Sequence, residues 1–254
     1  MAEGLPPGGT RHARLDVLRG VAMVWMTAFH LGFDLAHFGW WRQDFLHDPF
    51  WTWQRTAIVS LFLLCVGLGQ ALAWRQGVPL TRFARRWAQI AGGALLVSAG
   101  SYLMFPRSFI HFGVLHGVAV MLLVARATAD WRAWRLWLAG ALALALPWLA
   151  GWTLGGPLAE LAPAFNGRAL NWLGLVTRKP FTEDYVPLFP WLGVVWWGLA
   201  LGRWLLQRPS RPLAGPVAGF AVPLAWLGRH SLSYYLLHQP VLIGALVLVT
   251  WLVR

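Results

Sequence analysis

Residues 17–38 read VLRGVAMVWMTAFHLGFDLAHF. As a helix rising about 1.5 Å per residue this stretch spans about 33 Å, enough to cross a hydrocarbon core about 30 Å thick. It is apolar along most of its length but carries Arg19, His30, Asp34 and His37. Ionisable groups at membrane depth are costly to hold, so each is a functional candidate. His30, Asp34 and His37 stand at i, i+4 and i+7 and share one helical face, with Arg19 three turns below on about the same face.

The rest of the chain repeats this pattern. Hydrophobic residues make up 58% of the 254 and charged ones only 12%, about half the usual share of a soluble domain, so much of the chain avoids water. Apolar runs between breakers predict an all-α membrane protein, a bundle of seven transmembrane helices at 17–39, 52–74, 87–105, 109–126, 134–153, 186–206 and 231–253. A shorter apolar piece at 213–227, carrying Pro216, Gly219 and Pro223, reads as a re-entrant or interfacial segment, or as an eighth span. Residues 1–12, rich in Gly and Pro, read as a disordered lead without a cleavable signal pattern, and 13–254 as a single transmembrane domain.

Basic residues assign the sides. Arg11, Arg14, Arg19, Arg75, Arg82, Arg85, Arg86, Arg126, Arg132, Arg135, Arg203, Arg208 and Arg211 fall on one side of the seven-span alternation, with Arg229 as a further candidate for it. Arg42, Arg55, Arg107, Arg168, Arg178, Lys179 and Arg254 fall on the other. The richer side is expected to be cytoplasmic, which places the N-terminus inside and the C-terminus outside. This bias also accounts for the net charge of +12 without nucleic-acid binding. Cys65 is the only cysteine, so no internal disulfide forms. The histidines show no metal-ligand spacing, and no metal is expected. Gly67, Gly69 and the pair Gly92-Gly93 read as close helix packing, within one chain or between copies in a homo-oligomer.

Two outer connections, 40–51 and 154–185, hold acidic, aromatic and proline residues and are expected to bind something. The first contains Asp44, His47 and Asp48, the second Glu183 and Asp184. In the fourth span His111 and His116 stand five residues apart, on different sides of a helix, and one of them is expected to hydrogen-bond between helices. In the last, His230, Tyr234 and His238 stand at i, i+4 and i+8, on one face.

Three stretches carry a family resemblance. They are Arg14-Leu15-Asp16-Val17-Leu18-Arg19-Gly20 followed by His30, Phe109 to His116, and Leu227-Gly228-Arg229-His230-Ser231 through His238-Gln239-Pro240. With the His47-Asp48-Pro49-Phe50-Trp51 stretch, they resemble the bacterial branch of the heparan-α-glucosaminide N-acetyltransferase catalytic-domain family, over about residues 11–253. The resemblance implies transfer of acetyl from cytosolic acetyl-CoA across a bacterial inner membrane to an amino sugar or glycan acceptor. It places the family's active-site histidine within one residue of His47. The family's animal enzyme has Asn where this chain has His30.

His47 is therefore the first choice for catalyst and His30 the second, with Asp34 as its orienter. Histidine acts as base or nucleophile near neutral pH, which suits attack on a thioester. Arg14, Arg19, Arg82, Arg85 and Arg86 are expected to hold the CoA phosphates. Asp44, Asp48, His116, Glu183, Asp184 and His238 are expected to bind the acceptor. O-acylation of a surface glycan, as in the membrane acyltransferase-3 family with its similar opening motif, and proton-coupled transport are the competing readings.

Overall fold

A computed structural model describes residues 12–209, 212–213 and 215–253. Most of the predicted lead, and Arg11, Arg211 and Arg254 of the charge count, lie outside the described residues. Among the described residues the fold is helical, with α1 (Ala13–His37), α2 (Pro49–Arg75), α3 (Leu80–Met104), α4 (Val114–Ala127), α5 (Ala133–Leu154), α6 (Ala162–Asn166), α7 (Trp191–Gln207), α8 (Val222–Arg229) and α9 (Ser231–Val253). The all-α expectation holds for this part of the chain. Three helices, α2, α5 and α9, are long and apolar enough to cross a bilayer. Helices α1 and α3 are as long but carry more polar residues. Helices α4 and α7 have 14 and 17 residues.

Three of the predicted starts move by five residues or more, each for a physical reason. The fourth helix starts at Val114 rather than 109, because Gly113 is extended (φ −98°, ψ −166°) and the helix is capped there. His111 thus lies before the helix, not within it. The sixth predicted span starts at Trp191, because Pro187 and Pro190 cannot donate the N–H bonds of a helix interior. The third extends back to Leu80, where Pro79 stands at the N-cap and the Arg-rich turn joins the helix. In the 213–227 region a 3₁₀ turn at Gly219–Ala221 leads into the eight-residue α8. At about 12 Å, α8 is too short to be an eighth span.

The chain divides into two compact units, Met1–Ile58 with Trp204–Arg254, and Val59–Arg203. In the first, α1 packs along α8 and α9. Small residues permit this approach: a Cβ on Gly228 would run into the backbone carbonyl of Asp16, and Gly228 is buried. In the second unit, α3 packs on α4. Gly67 plays the role there that the sequence suggests, since a Cβ on it would lie 2.8 Å from the Gly198 Cα of α7. Gly92, by contrast, faces open space and closes no contact. Arg126 donates to the Val78 carbonyl (2.8 Å), and Arg203 donates to the carbonyls of Ala129 (3.2 Å) and Trp131, so two arginines pin the α2–α3 and α4–α5 turns.

Candidate active site

The first unit holds His47. Its loop is built by Asp44, whose Oδ1 accepts the backbone N–H groups of Leu46 (3.0 Å) and His47 (2.9 Å). A short carboxylate folding back on the N–H groups two and three residues ahead makes a self-supporting turn. The same carboxylate lies 3.0 Å from the His47 Nδ1 through Oδ2. An ionised carboxylate only accepts, so Nδ1 is the donor and the lone pair is left on Nε2. The His47 side chain is 82% exposed, so that lone pair is open. The backbone N–H of His47 foremost, with that of Leu46 and the His47 ring, holds the Asp44 carboxyl below its usual range.

Aromatic packing fixes this loop on α1 and α2. Phe45 is 4% exposed and stacks on Trp51 (ring centroids 4.0 Å apart). It also meets Phe29 and Phe33 of α1 edge-on, at 5.5 and 5.8 Å, and Trp41 at 5.9 Å. Such ring pairs add to the area they bury. Asp48 accepts the Phe50 N–H (2.8 Å) and caps α2 at its Pro49 start, which places Asp48 in the scaffold of the loop.

The same unit contains a polar seam between α1 and α9. Thr27 Oγ1 donates to the Met23 carbonyl (2.8 Å), so its lone pair accepts the Tyr234 hydroxyl (2.7 Å). The His30 and His238 rings are 5.2 Å apart, edge to face. His238 is 8% exposed and its Nδ1 donates to the Tyr235 carbonyl (2.7 Å). Its Nε2 is therefore an acceptor, buried and without a hydrogen-bond partner.

Asp34, 4% exposed, accepts from Gln239 Nε2 on both oxygens (2.9 and 3.0 Å). The structure thus gives the Asp34 carboxylate to Gln239, on another helix, and forms no Asp34–His30 hydrogen bond. His37 is exposed at the end of α1. His230 sits at the end of α8, where its Nδ1 donates to the Trp226 carbonyl (2.9 Å), so the face predicted for His230, Tyr234 and His238 is interrupted before α9 begins.

The second unit uses its polar residues differently. Ser98 Oγ donates to the Ile110 carbonyl (2.6 Å) and accepts from His116 Nε2 (3.0 Å), while His116 Nδ1 accepts the Gly113 N–H (3.2 Å). Both ring nitrogens of His116 are engaged, so of the two histidines between which the sequence leaves the choice open, His116 is one that hydrogen-bonds between helices, α3 and α4. Asp184 accepts the Val114 N–H (2.7 Å) and caps α4. Glu183 accepts the Ser108 hydroxyl. His111 Nε2 donates to the Asn171 side-chain oxygen (3.2 Å). Tyr185 donates to the Asn171 carbonyl (2.6 Å), and burial pushes its phenol up to about 12.

The arginines divide as well. In the first unit Arg14 is exposed and donates to the Pro212 carbonyl (3.2 Å), and Arg19 pairs with Asp16 (3.3 Å). In the second unit Arg82, Arg85 and Arg86 are exposed on the first two turns of α3, with Arg86 donating to Gln89 (3.1 Å). Sequence reasoning passed over Gln239 and Thr27. The signal for Gln239 was present, an amide beside His238 in an apolar helix, but its partner could not be read from its own segment.

These features meet in a comparison with known families. Residues 11–240 match the family described as heparan-alpha-glucosaminide N-acetyltransferase, catalytic. The chain belongs to this family. The matched range contains all three motif stretches, the His47 loop and the α1–α9 seam as far as Gln239. No curated protein and no solved structure matches the chain. As a member of the heparan-alpha-glucosaminide N-acetyltransferase family with three long apolar helices, the chain is a membrane protein of an acetyltransferase family.

Proposed function

We propose that this protein takes acetyl from cytosolic acetyl-CoA and transfers it to an amino sugar or glycan acceptor on the outer side of a bacterial inner membrane. The observation that carries this reading is the Asp44–His47 pair, a histidine held by a carboxylate at 3.0 Å with its Nε2 open, in a chain matched to an acetyltransferase family. His47 Nε2 either takes a proton from the acceptor as it attacks the thioester carbonyl, or itself attacks to form an acetyl-histidine. In both routes the C–S bond breaks and the CoA sulfur leaves with a proton. Asp44 fixes the tautomer and stabilises the imidazolium. Arg82, Arg85 and Arg86 are the proposed contacts for the CoA phosphates, with Arg14 and Arg19 as further candidates. Seven membrane spans with the N-terminus in the cytoplasm supply the sidedness of the scheme.

A second reading places the base at the seam, with His238 acting beside His30. The buried, unpartnered Nε2 of His238 favours it. Acetyl-CoA titrated into the purified protein in detergent, followed by calorimetry, tests the common core of both. Wild type should bind, Arg85→Ala with Arg86→Ala should weaken binding, and His47→Ala should still bind. No binding of acetyl-CoA or of longer acyl-CoAs would refute acyl transfer and leave proton-coupled transport as the reading.

A further inference from the structure

The loop that carries His47 has two kinds of apolar side chain. Phe45 is buried against Phe29, Phe33 and Trp51. Leu46, by contrast, is 57% exposed, Phe50 58% and Trp53 75%, and Trp40 and Trp41 are exposed as well. Leu46 adjoins His47 in the chain, and Phe50 and Trp53 stand at i and i+3 on one face of the first turns of α2. Five large apolar side chains within residues 40–53 are thus left outside the packing, around the exposed Asp44–His47 pair. A water-facing loop rarely keeps such a patch. Aromatic residues at this density belong to the boundary between lipid headgroups and acyl chains.

The place of the loop in the chain says what covers this patch. Helix α1 ends at His37, and α2, which starts at Pro49, is long and apolar enough to cross a bilayer. His47 stands two residues before that crossing begins, so its open Nε2 lies at the bilayer surface. Two cations accompany it. Arg42 in the loop and Arg55 on α2 form no ion pair or hydrogen bond among the described residues. They flank the bond from Trp51 Nε1 to Gln43 (3.2 Å), for Arg42 precedes Gln43 and Arg55 is one helical turn after Trp51. The nearby carboxylates are engaged elsewhere, Asp44 by His47 and Asp48 by the Phe50 N–H. An apolar rim with guanidinium groups beside it fits an amphiphile whose phosphate joins a hydrocarbon chain to a headgroup. A free sugar would use neither feature. We propose that the acceptor is lipid-anchored. It reaches His47 along the bilayer surface, with its chain against Leu46, Phe50 and Trp53 and its phosphate on Arg42 and Arg55. The proposal rests on the acetyl-transfer reading for the reaction at His47, and on the loop alone for where the acceptor lies.

The test uses the full-length protein in phospholipid liposomes and two readouts. In the first, Cys65→Ala removes the native thiol, and a nitroxide is attached through Leu46→Cys or, separately, Trp53→Cys. Collisions with oxygen, which concentrates in the bilayer, should exceed collisions with a water-soluble nickel chelate at both positions. An excess of nickel collisions places the loop in water and overturns the proposal. Dipolar broadening between labels, the mark of a second copy seated on the patch, overturns it too. In the second, acetyl from acetyl-CoA is followed into the methyl and the dodecyl phosphodiester of glucosamine 1-phosphate, which differ only in the chain. The dodecyl compound should show a kcat/KM at least about tenfold higher. Phe50→Ser with Trp53→Ser should bring that ratio below about threefold, and Arg42→Gln with Arg55→Gln should lower kcat/KM for the dodecyl compound about tenfold. If wild type acetylates both compounds with equal kcat/KM, the lipid-anchored acceptor fails and acetyl transfer stands. If the labels are immersed and neither compound is acetylated, acetyl transfer fails and the acceptor assignment with it, while the place of the loop at the bilayer stands.

Discussion

His116 in the second unit and His47 in the first are both held by hydrogen bonds, but with opposite results. His116 has a partner on each ring nitrogen, Ser98 on one side and the Gly113 N–H on the other. His47 has a carboxylate on Nδ1 and an open Nε2. His238 follows the His47 pattern in a buried setting, with Nδ1 on a carbonyl and Nε2 unmatched. A histidine whose two nitrogens are satisfied within the fold ties segments together. One that is fixed through a single nitrogen is oriented and still has a lone pair to use. By this criterion His47 and His238, in the first unit, are the histidines left with a lone pair to use, and His116, in the second, ties its segments together.

Several substitutions strain this contrast, with the largest effect expected under the His47 loop. Phe45→Ala removes the buried ring under the His47 loop and should cost about 3 kcal/mol, read as a lower unfolding midpoint and faster proteolysis at the loop. A protein as stable as wild type would mean that the loop is not anchored by this packing. Asp44→Asn keeps a turn-forming side chain and removes the charge, and should slow acetyl transfer about tenfold.

The pH dependence of the same pair has a defined sign. Because the folded Asp44 carboxyl is held below its usual value, its contribution is present above the unfolded value of 3.8 and fades only as pH falls through the lower, folded one. NMR of a protein labelled at Asp carboxyls should show Asp44 still ionised where exposed carboxylates are half protonated. Titration at the ordinary value would break the link to His47.

The remaining two act on the second unit and should reach stability alone. Ser98→Ala leaves the His116 Nε2–H without its acceptor and should lower stability by about 1 kcal/mol, with the transfer rate per folded molecule unchanged. A loss of turnover in stably folded Ser98→Ala would move His116 into the chemistry. Asp184→Asn preserves a capping side chain at α4 and removes its charge, for about 0.5 kcal/mol in chemical unfolding.

The boundaries show what a sequence can and cannot carry. The run at 231–253 is the range of α9, and 134–153 and 52–74 fall within three residues of α5 and α2. Long apolar runs between polar breakers leave little choice about where a helix lies. The start of α4 lies later than the apolar run from 109 predicts, because its cap comes from Asp184, 70 residues further on, and no local pattern at 109–113 announces it. Asp34 shows the same limit at the site. Its spacing to His30 on one helix was visible, but its hydrogen-bond partner is Gln239, 205 residues away. His47 was legible because its partner, Asp44, is three residues off in the same turn, and because its surroundings resemble a known motif. Local constellations can be read from the chain; seams between distant helices cannot.

The open nitrogen of His47 is the centre of the proposed chemistry. Purified wild type and His47→Ala, reconstituted in liposomes with acetyl-CoA on the side of the N-terminus and glucosamine on the other, should be compared for N-acetylglucosamine formed. Product is expected from wild type, and a rate about 10²- to 10⁴-fold lower from His47→Ala, with acetyl-CoA still bound. Equal rates from the two proteins would contradict it.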